Sequence, residues 1–128
     1  MAPFYAGFGC RRGCPAEALE ALLRQALSTQ RLALADLHGI ASISLKADEP
    51  GLQQLAERLA VPLVLYPTAQ LHAYQAQLSH HSAAAHAHSG CWGVAESAAL
   101  ALASQRRGTA RLLLTRQVLG PATLALAC

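Results

Sequence analysis

The sequence predicts an α/β fold, in which helices flank a mixed β-sheet of about five strands and a β-hairpin lies at the C-terminus. Short apolar stretches typical of strands alternate with longer segments of helical period, and a Gly-Pro turn separates the last two apolar stretches. The chain has 128 residues, of which 53% are hydrophobic, and this is enough for one core. We therefore expect a single domain over residues 1–128.

The chain opens with a predicted strand and an amphipathic helix. Residues 4–8 are apolar and aromatic, which favours a strand, and a glycine-rich turn follows them. Residues 15–29 predict a helix whose start is marked by Pro15. Its apolar side chains recur every three or four residues, at Leu19, Leu22, Leu23, Ala26 and Leu27.

A strand, a helix and a third strand come next. Residues 40–45 alternate apolar with small polar side chains, as a strand does, and residues 63–66 form another short apolar stretch. Asp48, Glu49 and Pro50 are typical of a helix start. The helix that they begin has one apolar face, formed by Leu52, Leu55, Ala56 and Leu59.

The middle of the chain is less regular. A shorter helix is predicted over residues 69–78, with Leu71, Tyr74 and Leu78 on one side. Residues 79–92 are rich in His, Ser, Ala and Gly and have no clear period. We therefore predict a partly mobile loop there.

The last third predicts a buried helix and a hairpin. Residues 93–104 are apolar on nearly all sides, which is typical of a helix enclosed by the fold. Residues 112–114 and 123–127 predict two strands, and Gly120-Pro121 provides a turn between them. The two strands are expected to pair as an antiparallel hairpin.

The most informative motif is the run Gly7-Phe8-Gly9-Cys10-Arg11-Arg12-Gly13, between the first strand and the first helix. Glycines allow a close approach to a ligand, and arginines hold carboxylates or phosphates beside the positive end of a helix. The lysine and hydroxyl of a phosphate loop are missing. We interpret the run as an anion-binding turn; the alternative is an ordinary turn with solvated arginines. Its proposed substrate-binding residues are Gly7, Gly9, Arg11, Arg12 and Gly13.

Lys46 follows the second predicted strand. Ligands of open α/β sheets bind beyond the carboxyl ends of the strands. If the first two strands are parallel, Lys46 lies near Arg11 and Arg12, and we add it to the substrate-binding set. The alternative is a solvated surface lysine.

Composition excludes several classes of protein. Ten Lys and Arg residues against seven Asp and Glu give a net charge of +3, too small for a nucleic-acid-binding protein. No apolar stretch is long enough to span a bilayer, and the N-terminal arginines follow the apolar stretch, unlike those of a signal peptide. We expect a cytoplasmic protein without nucleic-acid or membrane partners. Its cysteines, Cys10, Cys14, Cys91 and Cys128, are then reduced thiols.

Four motifs together resemble a known family. They are the Gly7–Gly13 run, Ala41-Ser42-Ile43 with Lys46-Ala47-Asp48-Glu49-Pro50-Gly51-Leu52, Gly93-Val94-Ala95-Glu96, and Ala122-Thr123-Leu124-Ala125-Leu126-Ala127. In this order, over nearly the whole chain, they resemble the CobE proteins of cobalamin biosynthesis and the homologous C-terminal domain of CbiG-type proteins. The chain looks like the stand-alone CobE-type form. The family often carries a basic residue where Arg116 stands, so Arg116 joins the substrate-binding set.

The resemblance implies a role in cobalamin (vitamin B12) biosynthesis. The expected ligand is a carboxylate-rich precorrin or corrinoid, a tetrapyrrole that suits an apolar pocket rimmed by cations. The protein would bind or process it, as an accessory or carrier beside other enzymes of the pathway. The alternative is a hydrolase: CbiG-type proteins open the ring-A δ-lactone of cobalt-precorrin-5A and release a two-carbon fragment, but they also carry N-terminal regions outside the resemblance. Whether the chain is an enzyme is left open.

Two residues are candidates for catalysis. Glu96 lies three residues after Gly93, where a carboxylate stabilises a helix N-terminus, acts as an acid or base, or holds an arginine in place. Cys10 lies beside two arginines, a setting that predicts a lowered pKa and a nucleophilic thiolate. The sequence offers no base that would activate Cys10, and the alternative is that its side chain serves only in packing.

The histidines suggest a third function, the handling of cobalt, zinc or nickel. Four of them are clustered, at His80, His81, His86 and His88. No carboxylate accompanies them, and an Ala/Ser-rich loop is poorly preorganised for a metal. We therefore predict no metal site and no cofactor.

Overall fold

The computed structural model describes residues 2–128 and has the predicted α/β architecture. Five strands form one mixed sheet: β1 (Phe4–Cys10), β2 (Leu37–Ile43), β3 (Leu63–Tyr66), β4 (Leu112–Leu119) and β5 (Ala122–Ala127). The helices are α1 (Ala16–Gln30), α2 (Pro50–Leu59), α3 (Thr68–Leu71), α4 (Ala83–Ser89) and α5 (Val94–Arg107). Within the described residues, no helix combines the length and the apolar character needed to cross a membrane.

The order of the strands in the sheet is β3-β2-β1-β5-β4. β1 is parallel to β2, and β2 is parallel to β3. β5 is antiparallel to β1, and β4 is antiparallel to β5, so the C-terminal hairpin is confirmed. Because two antiparallel pairings follow one another, β4 runs in the same direction as β1. The carboxyl ends of β1, β2 and β4 therefore lie at one edge of the sheet.

Each face of the sheet has its own core. Along β1, Phe4, Ala6 and Phe8 pack with the apolar faces of α1 and α2, whereas Tyr5 packs on the other face among residues of α5. This alternation follows from the two-residue period of a strand. The predicted burial of the last helix is confirmed, since every residue from Ala95 to Ala103 is buried.

The predicted loop over residues 79–92 is wrong, because α4 occupies its centre. Ser82 caps this helix by accepting a hydrogen bond from the backbone N–H of Ala85 at 3.1 Å. No residue of α4 is buried, so the helix has no apolar stripe from which it could be recognised. The helix predicted over residues 69–78 is in fact α3 followed by the 3₁₀ turn His72–Gln77.

Candidate functional site

A large cleft of about 1310 Å³ lies at the carboxyl edge of β1 and β2. Its walls come from the turn after β1, the turn after β2, α4, the start of α5 and the hairpin of β4 and β5. The volume exceeds the roughly 300–1,000 Å³ of pockets for drug-sized ligands. The predicted residues that line it are Gly9, Cys10, Arg11, Arg12, Gly13, Lys46, Glu96 and Arg116.

The turn after β1 is held by its backbone, which leaves both arginines exposed. The N–H of Arg11 donates to the carbonyl of Pro121 at 2.9 Å. Gly13 has a φ of +77°, in the left-handed region that favours glycine, and its N–H donates to the Glu49 carboxylate at 3.0 Å. The sequence predicts Glu49 only as a helix-start residue. It supports the turn from 36 residues away, a contact that no local pattern reveals.

The other two cations of the cleft come from the turn after β2 and from β4, and these two strands lie on either side of β1 and β5 in the sheet. Lys46 ends the 3₁₀ turn Ser44–Lys46 directly after β2 and is half-buried. Arg116 is also half-buried, but it lies within β4 and not after it, because that strand extends to Leu119. In residues 2–128, the ion pairs join Arg24 and Arg58 to Glu17 and Glu20, and none involves a cation of the cleft.

Glu96 connects two walls of the cleft. Its carboxylate accepts hydrogen bonds from the backbone N–H of Ser79 at 2.9 Å, from the Ser79 hydroxyl, and from the backbone N–H of Arg116 at 2.9 Å. Arg116 lies where the pairing of β4 with β5 is irregular, between Leu114 and Gln117. Glu96 is only 1% exposed. Burial raises its pKa, but the hydrogen bonds outweigh burial, so the net pKa is lowered and the carboxylate stays ionised.

The predicted lowering of the Cys10 pKa is wrong. Burial raises the pKa of this thiol to about 11, while the neighbouring Lys46 lowers it and Cys14 and Glu49 raise it. The two arginines lie on the exposed turn and do not offset the loss of solvation. Cys10 is therefore a protonated thiol at neutral pH.

Gly7 does not line the cleft. A Cβ atom at this position would overlap the backbone of Ala95 and Ala99. Gly7 thus lets α5 pack closely against β1, which places the start of α5 at the cleft.

Aromatic stacking orders the histidine-rich segment around α4. The rings of His86 and Trp92 are stacked with centroids 4.1 Å apart, and His81 lies 6.3 Å from Trp92 at a tilt. The N–H of Ser82 donates to the carbonyl of Trp92 at 2.7 Å.

Across the described ranges, no three His, Cys, Asp or Glu side chains form a group that could hold a metal ion. The wall that α4 gives to the cleft includes Ala84, Ala85 and His88.

Fold and cleft together define a class: small α/β proteins with a cation-lined cleft at the carboxyl edge of a mixed sheet. The family model described as "Cobalamin synthesis G C-terminus" matches residues 4–127. The chain belongs to this family and is a cobalamin-biosynthesis protein, which confirms the resemblance.

Similar proteins agree with this assignment. "Protein CobE" of a Sinorhizobium species is 40% identical over 121 residues, which cover 94% of this chain and 77% of that protein. The crystal structure of CobE, a protein from the cobalamin (vitamin B12) biosynthetic pathway, matches with a TM-score of 0.94 and 46% identity, covering 98% of this chain and 89% of that one. The cobalt-precorrin-5A hydrolase of Salmonella typhimurium is 40% identical over 70 residues, which are 55% of this chain but only 20% of the hydrolase.

Proposed function

We propose that the chain binds a carboxylate-rich precorrin or corrinoid intermediate in the cleft and acts as an accessory or carrier protein of cobalamin biosynthesis. The proposal rests on four positively charged side chains that line the cleft. Arg11, Arg12, Lys46 and Arg116 line one large cavity, and none has an ion-pair partner among the described residues.

The chemistry of such a ligand fits the cleft. Corrin precursors are broad apolar macrocycles fringed with acetate and propionate groups, and arginine binds carboxylates in bidentate fashion. Three carboxylates also line the cleft, at Asp48, Glu49 and Glu96. Glu49 and Glu96 accept hydrogen bonds from backbone N–H groups, so these contacts leave the guanidinium groups available for the ligand.

Hydrolysis of a precorrin-5-type lactone is the second candidate function, favoured by the similarity to the cobalt-precorrin-5A hydrolases. The properties of Glu96 and Cys10, the two candidates for catalysis, favour ligand binding over turnover. Glu96 is buried and its oxygens already accept three hydrogen bonds, while Cys10 has a raised pKa of about 11. The ligand would then be passed unchanged to other enzymes of the pathway.

A titration with two matched corrins tests the proposal. Cobyrinic acid carries free peripheral carboxylates, whereas cobinamide has the same macrocycle with these groups as amides. We expect saturable binding of cobyrinic acid, followed by the macrocycle's absorbance, and at least tenfold weaker binding of cobinamide. Equal or undetectable binding of both corrins would refute the carboxylate-binding role. Mass analysis after incubation with a precorrin-5-type lactone separates the two functions, since a carrier returns it intact and a hydrolase opens it.

A further inference from the structure

Two exposed apolar side chains lie at the cleft. Leu45 is 65% exposed and Val118 is 58% exposed, and both line the cavity. Leu119 is the third large hydrophobic residue exposed in the described part of the chain, at 41%, and it does not line the cavity. A single exposed apolar residue needs no explanation, but two on one cavity favour a ligand with apolar surface.

The two residues, called here the apolar pair, lie on opposite sides of the cleft. Leu45 follows β2 and Val118 belongs to β4, and in the sheet these strands are separated by β1 and β5. Three strand spacings correspond to about 14 Å. This separation is comparable to the width of a tetrapyrrole macrocycle with its side chains.

Each member of the apolar pair has a cation beside it. Leu45 directly precedes Lys46, and Val118 lies two residues after Arg116; all four residues line the cavity. Both sides of the cleft therefore offer an apolar contact next to a positive charge. A macrocycle with an apolar ring and peripheral carboxylates matches this arrangement, whereas a small polyanion uses only the charges.

We propose that Leu45 and Val118 contact the ring of the bound tetrapyrrole and make the cleft selective for a large amphiphilic macrocycle over a small polycarboxylate. This inference rests on the proposed function and adds the source of its selectivity. Removal of the apolar contacts lowers affinity for the macrocycle and leaves affinity for a small polycarboxylate unchanged, because the cations remain in place.

The test compares Leu45→Ser, Val118→Ser and the control Leu119→Ser in titrations with cobyrinic acid. We expect each of the first two variants to bind three- to tenfold more weakly and the double variant more than tenfold more weakly, with Leu119→Ser within twofold of the wild type. The dissociation constant of mellitate, a small polycarboxylate, derived from its competition with cobyrinic acid, should be equal in all variants. Thermal unfolding checks that every variant is folded.

Two outcomes overturn the inference. If the double variant binds cobyrinic acid like the wild type, the apolar pair does not contact the ligand, while the cation-based function stands. The oligomeric state in solution then shows what the pair contacts. If the wild type is a dimer and Val118→Ser is a monomer, the apolar pair belongs to a contact between copies of the chain. A wild type that binds neither corrin refutes the proposed function as well, so the two failures are distinguishable.

Discussion

The backbone N–H of Arg116 donates a hydrogen bond to the buried carboxylate of Glu96 at 2.9 Å, which joins β4 to the first turn of α5. The same carboxylate accepts a hydrogen bond from the backbone N–H of Ser79 at 2.9 Å, and Ser79 lies just before α4 in the chain. One buried charge thus links β4, the first turn of α5 and Ser79, three residues before the cap of α4. Glu96 acts in this structure as a positioning residue for the rim.

Replacing Glu96 by glutamine should destabilise the fold. Hydrogen bonds to a charged group contribute roughly 1.5–3 kcal/mol each, and an amide NH₂ group placed opposite N–H donors accepts none of them. We expect the free energy of unfolding, measured with urea, to fall by about 3 kcal/mol. The control is Glu57→Gln on the exposed side of α2, with a change below about 0.5 kcal/mol. Equal effects of the two substitutions would show that the hydrogen bonds of Glu96 do not stabilise the fold.

The contribution of Glu96 to stability should also depend on pH. Its pKa is lowered from the usual value of 4.5, so its stabilising effect is complete above the pKa of the unfolded chain and is lost as pH falls through the folded pKa. The difference in unfolding free energy between wild type and Glu96→Gln should be constant near neutral pH. It should narrow as the pH falls below about 4.5. A difference that grows on acidification would contradict the sign of the shift.

Gly7 and Gly13 should tolerate alanine differently. At Gly7 a Cβ meets the backbone of α5, which cannot move without repacking the core, so we expect a loss of about 3 kcal/mol in unfolding free energy. At Gly13 the Cβ meets open space, and only the left-handed φ of +77° is unfavourable, at about 1 kcal/mol. Denaturant unfolding measures both variants. A Gly7→Ala variant as stable as Gly13→Ala would contradict the close packing of α5 on β1.

Cys10 should react slowly with alkylating agents. Its pKa of about 11 leaves little thiolate at pH 8, and the thiolate is the reactive form. We expect its alkylation by iodoacetamide to be at least tenfold slower than that of free cysteine. Tryptic cleavage after Arg11 and Arg12 separates the Cys10 and Cys14 peptides for mass spectrometry. Alkylation as fast as that of free cysteine would restore Cys10 as a candidate nucleophile.

Much of the fold follows from periodicity and turn chemistry. The apolar repeat of residues 15–29 predicts α1, and the Gly120-Pro121 turn predicts the terminal hairpin, because both are local features. The proximity of Lys46 to the arginine turn follows from the parallel pairing of β1 and β2. α4 could not be recognised, since a helix without buried residues carries no apolar period.

The properties of individual site residues were harder to predict. The support of Gly13 by Glu49 joins residues distant in the sequence, and the desolvation of Cys10 depends on how the strands and turns pack around it. The place of Glu96 at a helix start predicts a carboxylate that stabilises the helix, acts as an acid or base, or holds an arginine. Its partners, Ser79 and Arg116, come from tertiary packing and an irregularity in β4 that no local pattern encodes.

Carboxylate binding by the arginine turn is tested most directly by the affinity of the Arg11→Ala/Arg12→Ala variant for cobyrinic acid, measured beside Arg106→Ala/Arg107→Ala. Both double variants lose the same charge, but Arg106 and Arg107 end α5 and do not line the cleft. Since each charged hydrogen bond to a carboxylate contributes roughly 1.5–3 kcal/mol, we predict more than tenfold weaker binding for the first variant and a change below about threefold for the second. Equal affinities of the two folded variants would contradict the claim that the arginine turn binds the carboxylates of the tetrapyrrole.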